Sequence, residues 1–240
     1  MISLDEIVAR PPIVHGGTTT WGISASLAWF LDAQLTPKAV TLETGAGLST
    51  IVILRRGVAR HISVTPYAAE FGAIREYCPS VGIDLKPLVA VVAGSAEYLP
   101  SASLPALDLV LIDGAHAFPT PFLDWYYTVE ALKVGGLVVV DDLQLATGCI
   151  LADFMRADEK WQEVYRDQRW AAYRKLVHPI RDERDWLGQA YLARSSPVAA
   201  VRIVRAGPIR RAASLARRAL ADPKLAVQEI RRRWLRRSRA

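Results

Sequence analysis

Val40-Thr41-Leu42-Glu43-Thr44-Gly45-Ala46-Gly47-Leu48-Ser49-Thr50 runs from an apolar strand through an acid into a Gly-x-Gly turn, then into a helix start. Gly45 and Gly47 carry no Cβ, so the backbone can turn tightly and approach a ligand closely. The helix that follows offers unpaired N–H groups and the positive end of its dipole. At the carboxyl end of a parallel sheet, that geometry holds a nucleotide-like ligand. The same residues also suit a tight strand-to-helix turn with no ligand at all.

Two details sharpen the reading. A dinucleotide fingerprint wants a third Gly, but position 50 is Thr. Glu43 would repel a pyrophosphate and suits a cationic ligand. The stretch resembles the first motif of the class I S-adenosylmethionine (SAM) methyltransferases, acidic-x-Gly-x-Gly. The resemblance implies that Glu43, Thr44, Gly45 and Gly47 line the amino-acid end of the cofactor.

Downstream, strands and helices alternate. Strands are expected at about 39–43, 60–64 and 88–92, with helices at about 48–56 and 67–78. Leu107-Asp108-Leu109-Val110-Leu111-Ile112 has the near-continuous apolar character of a central parallel strand. A helix over about 121–132, a turn at Lys133-Val134-Gly135-Gly136 and a fifth strand at 137–140 come next. A helix at about 147–157 and a hairpin, 161–166 with 170–176, complete the series. Such alternation implies right-handed crossovers and a parallel sheet. The hairpin resembles the antiparallel final pair of the methyltransferase sheet, so the resemblance spans about 38–177. The expected fold is α/β: a doubly wound, mostly parallel seven-stranded sheet of the Rossmann-like methyltransferase type. It ends in an antiparallel hairpin and a basic helical tail.

The resemblance also implies a ribose anchor at the end of the second strand, where the family carries an acid. Here that position is Thr65, followed by Pro66. Thr then Pro suits a helix N-cap and first helical residue. Thr65 offers a ribose only a single hydrogen bond, and Glu70 lies a turn further on. Gly94-Ser95-Ala96 matches the family's Gly-x-Ser/Ala, which places Ser95 and Ala96 beside the adenine; an ordinary strand-to-helix turn accounts for them equally.

Three acids close the central strands. Asp113 follows the fourth strand, and Asp141 and Asp142 follow the fifth. With those strands adjacent, all three carboxylates meet at one rim, where they repel one another and need a cation. Oxygen-only ligation points to Mg²⁺ or a similar hard ion. In the alternative, one Asp caps a helix and another is solvated. Asp113-Gly114-Ala115-His116 with Asp141-Asp142 resembles the small-molecule and sugar branch of the metal-dependent O-methyltransferases. That likeness implies a general-base role for His116, whose ordinary pKa lies close to operating pH. Metal ligation, or a structural bond to a carboxylate, are its other readings. His15, His61 and His178 read as structural or surface residues.

The implied activity is SAM-dependent transfer of a methyl group to a hydroxyl of a small molecule, assisted by a metal. A metal-independent N- or O-methyltransferase is one alternative. A catalytically inactive binding or scaffold protein that works through its tail is another.

Composition frames these readings. The 240 residues suit one α/β domain plus an appendage, and 51% apolar residues suffice for a sizeable core. The chain divides by expectation into a lid or helix segment (1–36), a SAM-binding domain (37–200) and a basic helical tail (201–240). Residues 1–20 read as irregular, and His15-Gly16-Gly17-Thr18-Thr19-Thr20 as either a cofactor lid or a surface loop. Net charge is +6, yet residues 202–240 carry 13 Lys/Arg against Asp222 and Glu229, leaving the body at −5. Such a basic amphipathic tail suits an anionic membrane surface or an acidic protein. Nucleic acid is the weaker reading, since no recognised module accompanies the arginines. Cys78 and Cys149 lack metal-type spacing and suit a reducing compartment. With no signal-like start and no long apolar run, the expected location is cytoplasmic, with the tail as a route to the membrane face.

Overall fold

The computed structural model describes residues 2–16 and 22–181. The chain separates into two units, Met1–Arg184 and Asp185–Ala240, and the account below concerns the first. The basic tail expected over 201–240, and residues 17–20 of the expected lid loop, lie outside the described residues.

Seven strands form one sheet: β1 (Val40–Thr44), β2 (Arg60–Thr65), β3 (Leu88–Val92), β4 (Leu107–Ile112), β5 (Leu132–Val140), β6 (Trp161–Arg166) and β7 (Ala171–Lys175). Their order is β3-β2-β1-β4-β5-β7-β6. β1 to β5 run parallel, and β7 runs antiparallel to both β5 and β6. This is the expected architecture. β2 lies on one side of β1 and β4 on the other, so the strand order reverses between β1 and β4. Ligands of open α/β sheets bind at that reversal, beyond the carboxyl ends of the strands. The register brings those ends level: Thr44 lies opposite both Val64 and Ile112, and Ile112 opposite Val140.

Helices cover both faces. α1 (Leu4–Ala9), α2 (Ala25–Gln34), α3 (Leu48–Arg55) and α4 (Ala68–Ser80) pack on one side, where Leu27, Leu31, Ile51 and Ile74 are buried. α5 (Ser95–Tyr98), α6 (Thr120–Thr128) and α7 (Ala146–Ala157) lie in the order of the chain, and Trp125, Leu151 and Met155 are buried on the other side. α3 buries every residue from Leu48 to Leu54. A helix buried on all sides belongs to the core, and that burial fixes the Gly-x-Gly turn against the sheet.

Three expectations need correction. Residues 4–9, read as irregular, form α1. Ser3 accepts from the Glu6 N–H and Glu6 reaches back to the Ser3 N–H, a complete capping box. The helix read over 121–132 stops at Thr128, and Leu132 already pairs with Leu107. Buried Lys175 helps close that end, donating 2.7 Å hydrogen bonds from Nζ to the Val129 and Leu132 carbonyls. Finally, α4 begins at Ala68, so Thr65-Pro66 is not its cap. The Thr65 hydroxyl turns instead to Glu70. No helix among the described residues is long and apolar enough to cross a membrane.

Candidate active site

The glycine turn is built against two neighbours. Gly45 adopts φ +96°, and a Cβ there would run into the Asp113 carbonyl. The turn after β1 and the acid after β4 therefore share a wall. At Gly47 a Cβ would stand 2.9 Å from the His15 Nε2.

Behind the turn, Glu43 is fully buried. Its Oε1 accepts from the Thr50 hydroxyl and lies 3.0 Å from the His61 Nε2. His61 Nδ1 in turn lies 2.8 Å from the Thr41 hydroxyl. His61 is thus structural, as expected, though wholly internal. Glu43 Oε2 is buried without a partner. Thr44 Oγ1 is likewise buried and unpaired. Ser95 is buried at the start of α5, and Ala96 is exposed beside it. Thr65 and Glu70 are bonded at 2.7 Å, and Glu70 Oε1 lies 2.8 Å from the His15 Nδ1.

At the rim of β4 and β5 the acids behave differently. Asp113, His116 and Asp142 each present a ligand atom within 4.8 Å of the other two. His116 Nε2 lies 2.8 Å from Asp142 Oδ2. Gln144 donates to Asp142 Oδ1 at 2.6 Å, and the Thr147 hydroxyl fixes the His116 carbonyl at 2.5 Å. Asp142 holds φ +55°, a left-handed conformation uncommon outside glycine and of the kind that gathers at functional sites. Asp141 stands behind this group, buried, with Oδ1 unpaired. The structure therefore joins Asp113 and Asp142 as expected, adds His116 to them, and sets Asp141 deeper.

Burial, then the charges of Asp141, Asp142 and Glu43, push the Asp113 carboxyl well above the usual carboxylate range. Burial raises Asp141 to about 6, with the Asp142 backbone N–H pulling down and the Asp142 charge pushing up. The bond to His116 lowers Asp142, and the same bond raises His116.

A fourth acid, Asp124 on α6, was not legible as a site residue. It is fully buried, and neither carboxylate oxygen completes a hydrogen bond. Burial pushes it to about 6, while the nearby Ser95 and Thr44 hydroxyls and the charge of His116 pull the other way. In sequence its only signal is an acid inside the apolar run Phe122-Leu123-Asp124-Trp125. His15 had no signal, because Glu70 and Gly47 meet it only through the fold.

The residues fit a cationic, nucleoside-bearing cofactor. An orphaned Glu43 oxygen and a glycine turn without Cβ atoms lie on one side, and a carboxylate-rich wall on the other. Two carboxylates and an imidazole also make a plausible donor set for a divalent ion, for Mn²⁺ as well as Mg²⁺.

Residues 42–143 match a family described as a methyltransferase domain. No curated protein matches the chain significantly. Among solved structures, the O-methyltransferase TomG from Streptomyces achromogenes, involved in tomaymycin synthesis and bound to SAM, shares 14% identity at TM-score 0.59, covering 74% of this chain and 92% of that one. Cofactor-bound Rv0187 from MTB shares 17% at TM-score 0.54, covering 72% and 86%. An rRNA methylase from Streptococcus thermophilus shares 14% at TM-score 0.51, covering 64% and 96%. At such identities these likenesses establish the fold alone.

Proposed function

We propose, from the match of residues 42–143 to a methyltransferase-domain family and from the strand order of the sheet, that this chain moves a methyl group from SAM to the hydroxyl of a small molecule. The observation that carries the reading is the shared wall between Gly45 and Asp113. It sets the cofactor turn directly beside the cluster of Asp113, His116 and Asp142.

Bound SAM supplies a methyl group on a sulfonium, transferred by direct displacement. The chain's own task is then alignment and proton removal. Glu43 and Asp113 give the cofactor's cationic end a negative wall. Asp142 orients the imidazole through Nε2, which leaves His116 Nδ1 to take the acceptor's proton. Asp113 and Asp142, with Asp141 behind them, are the residues that would hold Mg²⁺ or a similar ion. Held there, such an ion would supply the positive charge that lowers the pKa of an acceptor hydroxyl.

A second reading is favoured by the 2.8 Å contact of His116 with Asp142. An imidazole already oriented by a carboxylate can act as a base without metal.

Calorimetry with SAM, in Mg²⁺ and in EDTA, separates these readings when paired with mass spectrometry of candidate alcohols for the gain of one methylene. SAM binding with turnover lost in EDTA supports the first. Turnover indifferent to EDTA supports the second. Failure of SAM to bind removes both.

A further inference from the structure

The position that ought to anchor the ribose carries no acid, yet an acid reaches it. In sheets of this kind a carboxylate about 20 residues beyond the glycine turn takes the ribose hydroxyls. Here Thr65 stands at the end of β2, and Glu70 from the first turn of α4 bends back to it. Glu70 Oε2 accepts from the Thr65 hydroxyl at 2.7 Å. The same hydroxyl accepts from the Tyr67 N–H at 3.3 Å, so its proton is committed to Glu70. Glu70 is only 9% exposed, an uncommon degree of burial for a glutamate.

The other Glu70 oxygen meets His15. The imidazole spans the crevice between the ends of β1 and β2, with Nδ1 2.8 Å from Glu70 Oε1. Its Nε2 lies against Gly47, 2.9 Å from where a Cβ would stand. The missing Cβ at Gly47 is the feature that lets a ligand approach the turn, and His15 occupies that space. A ribose reaching both Glu70 and this turn would compete with the imidazole for that place. A ribose diol, however, offers Glu70 the O–H donors that would replace the imidazole N–H.

We propose that Glu70, positioned by Thr65, is the ribose-binding carboxylate of this chain, and that His15 holds its place in the crevice until the cofactor displaces it. The inference rests on the methyltransferase reading and names the residues that would grip the cofactor's sugar. It differs from an anchor on the strand itself in drawing the acid from the following helix and its competitor from the N-terminal segment.

The test is calorimetry on the full chain with S-adenosylhomocysteine, adenosine and 2′,3′-dideoxyadenosine. Glu70→Gln weakens S-adenosylhomocysteine by about tenfold to a hundredfold, the range for a lost hydrogen bond to a charged group. Removing the ribose hydroxyls weakens binding to wild type, and the two losses fail to add, because both delete one contact. His15→Ala tightens S-adenosylhomocysteine severalfold, since nothing then has to be displaced. Thermal unfolding of each variant without ligand shows whether it folds, and Thr65→Val provides a second, milder loss on the same contact. Additive losses overturn the Glu70 assignment while leaving the methyltransferase reading intact. Weaker binding in His15→Ala overturns the displacement. A wild type that binds no S-adenosylhomocysteine overturns this inference together with the reading beneath it.

Discussion

At the ends of β1 and β2, each buried acid has two side-chain partners: Glu43 has Thr50 and His61 on one oxygen while the other stays unpaired, and Glu70 has Thr65 and His15. At the ends of β4 and β5 they crowd one another instead. Asp113 faces Asp141 and Asp142 as well as Glu43, and Asp141 keeps one oxygen unpaired; nearby on α6, Asp124 is buried with neither oxygen paired. A partnered carboxylate is fixed in place. A crowded one is relieved only by a proton or a cation. The contrast divides the cleft into a side preorganised to receive a cofactor and a side with charge held in reserve for chemistry. His116 joins the second side to the first pattern, because its bond to Asp142 gives one of the crowded acids a partner.

The largest effect should come where that junction is cut. His116→Ala is expected to lower turnover by about 10²–10⁴-fold, the usual contribution of a positioned base. S-adenosylhomocysteine affinity, measured in parallel, should stay within about twofold of wild type. Affinity falling as far as turnover would mean that His116 belongs to the cofactor side.

Next in size is a change on the paired side. His61→Ala strips Glu43 of a partner at 3.0 Å and Thr41 of one at 2.8 Å, all within the core. Leaving a buried carboxylate short of hydrogen bonds should cost about 2–4 kcal/mol of stability. Chemical denaturation measures it, and a loss under about 1 kcal/mol would show that the network is ornamental to the fold.

A smaller effect concerns pH. The Asp142 contact raises the His116 pKa above the ordinary value, so the imidazole is protonated over a wider range. A base acts only after that proton has left, so wild-type turnover should rise with pH beyond the ordinary histidine range. Asp142→Asn cannot stabilise the imidazolium, and the rising limb should move toward acid by about one pH unit. The linkage runs in opposite directions for the two partners. The raised His116 contributes stability below its unfolded pKa, lost as pH climbs through the folded one. The lowered Asp142 contributes stability above its unfolded pKa, lost as pH falls through the folded one. A rate profile in Asp142→Asn that overlays wild type would remove His116 as the titrating base.

Much of this was legible before any coordinates. β3 falls over the expected 88–92, and β1, β2, β6 and β7 lie within a residue of their expected limits. Each is a short apolar or alternating run closed by turn residues, which leaves little freedom. The errors came where two patterns overlap. Leu132 satisfies a helical face and a strand equally, and only its pairing with Leu107 decides. Residues 4–9 were missed although Ser3 and Glu6 spelled out a capping box, because a six-residue helix carries too little periodicity to stand out. In the site, Glu43, Gly45, Gly47, Asp113, His116 and Asp142 were all named from strand-end position and resemblance to family motifs, and the structure sets them at the carboxyl ends of neighbouring strands. What spacing cannot show is which acid lies at the surface of the cluster and which behind it. That depends on the left-handed turn at Asp142, a conformation without a sequence mark when glycine is absent. The His15 contact with Glu70 spans 55 residues, and Asp124 reaches the cleft from a helix face that reads as plain core.

Asp124 offers the finest test of the division, because it is buried and unpaired without belonging to the cluster of Asp113, His116 and Asp142. Its pKa is raised to about 6, chiefly by burial. The unfolded chain ionises this carboxyl at the ordinary carboxylate value, while the folded chain resists until about 6. Folding therefore loses stability as pH climbs between those two values, and the loss is complete above the higher one. Asp124→Asn keeps the shape and removes the charge. The variant should be more stable than wild type by about 1–3 kcal/mol at pH 8, with the gap narrowing toward pH 4. Thermal unfolding across that range reads it directly. A gap that does not change with pH would mean that Asp124 stays ionised at little cost, so the wall beneath the β4 and β5 rim would be wetter than its burial implies. A variant less stable at pH 8 would go further and place Asp124 among the partnered acids, where the charge itself holds Thr44 and Ser95 in position.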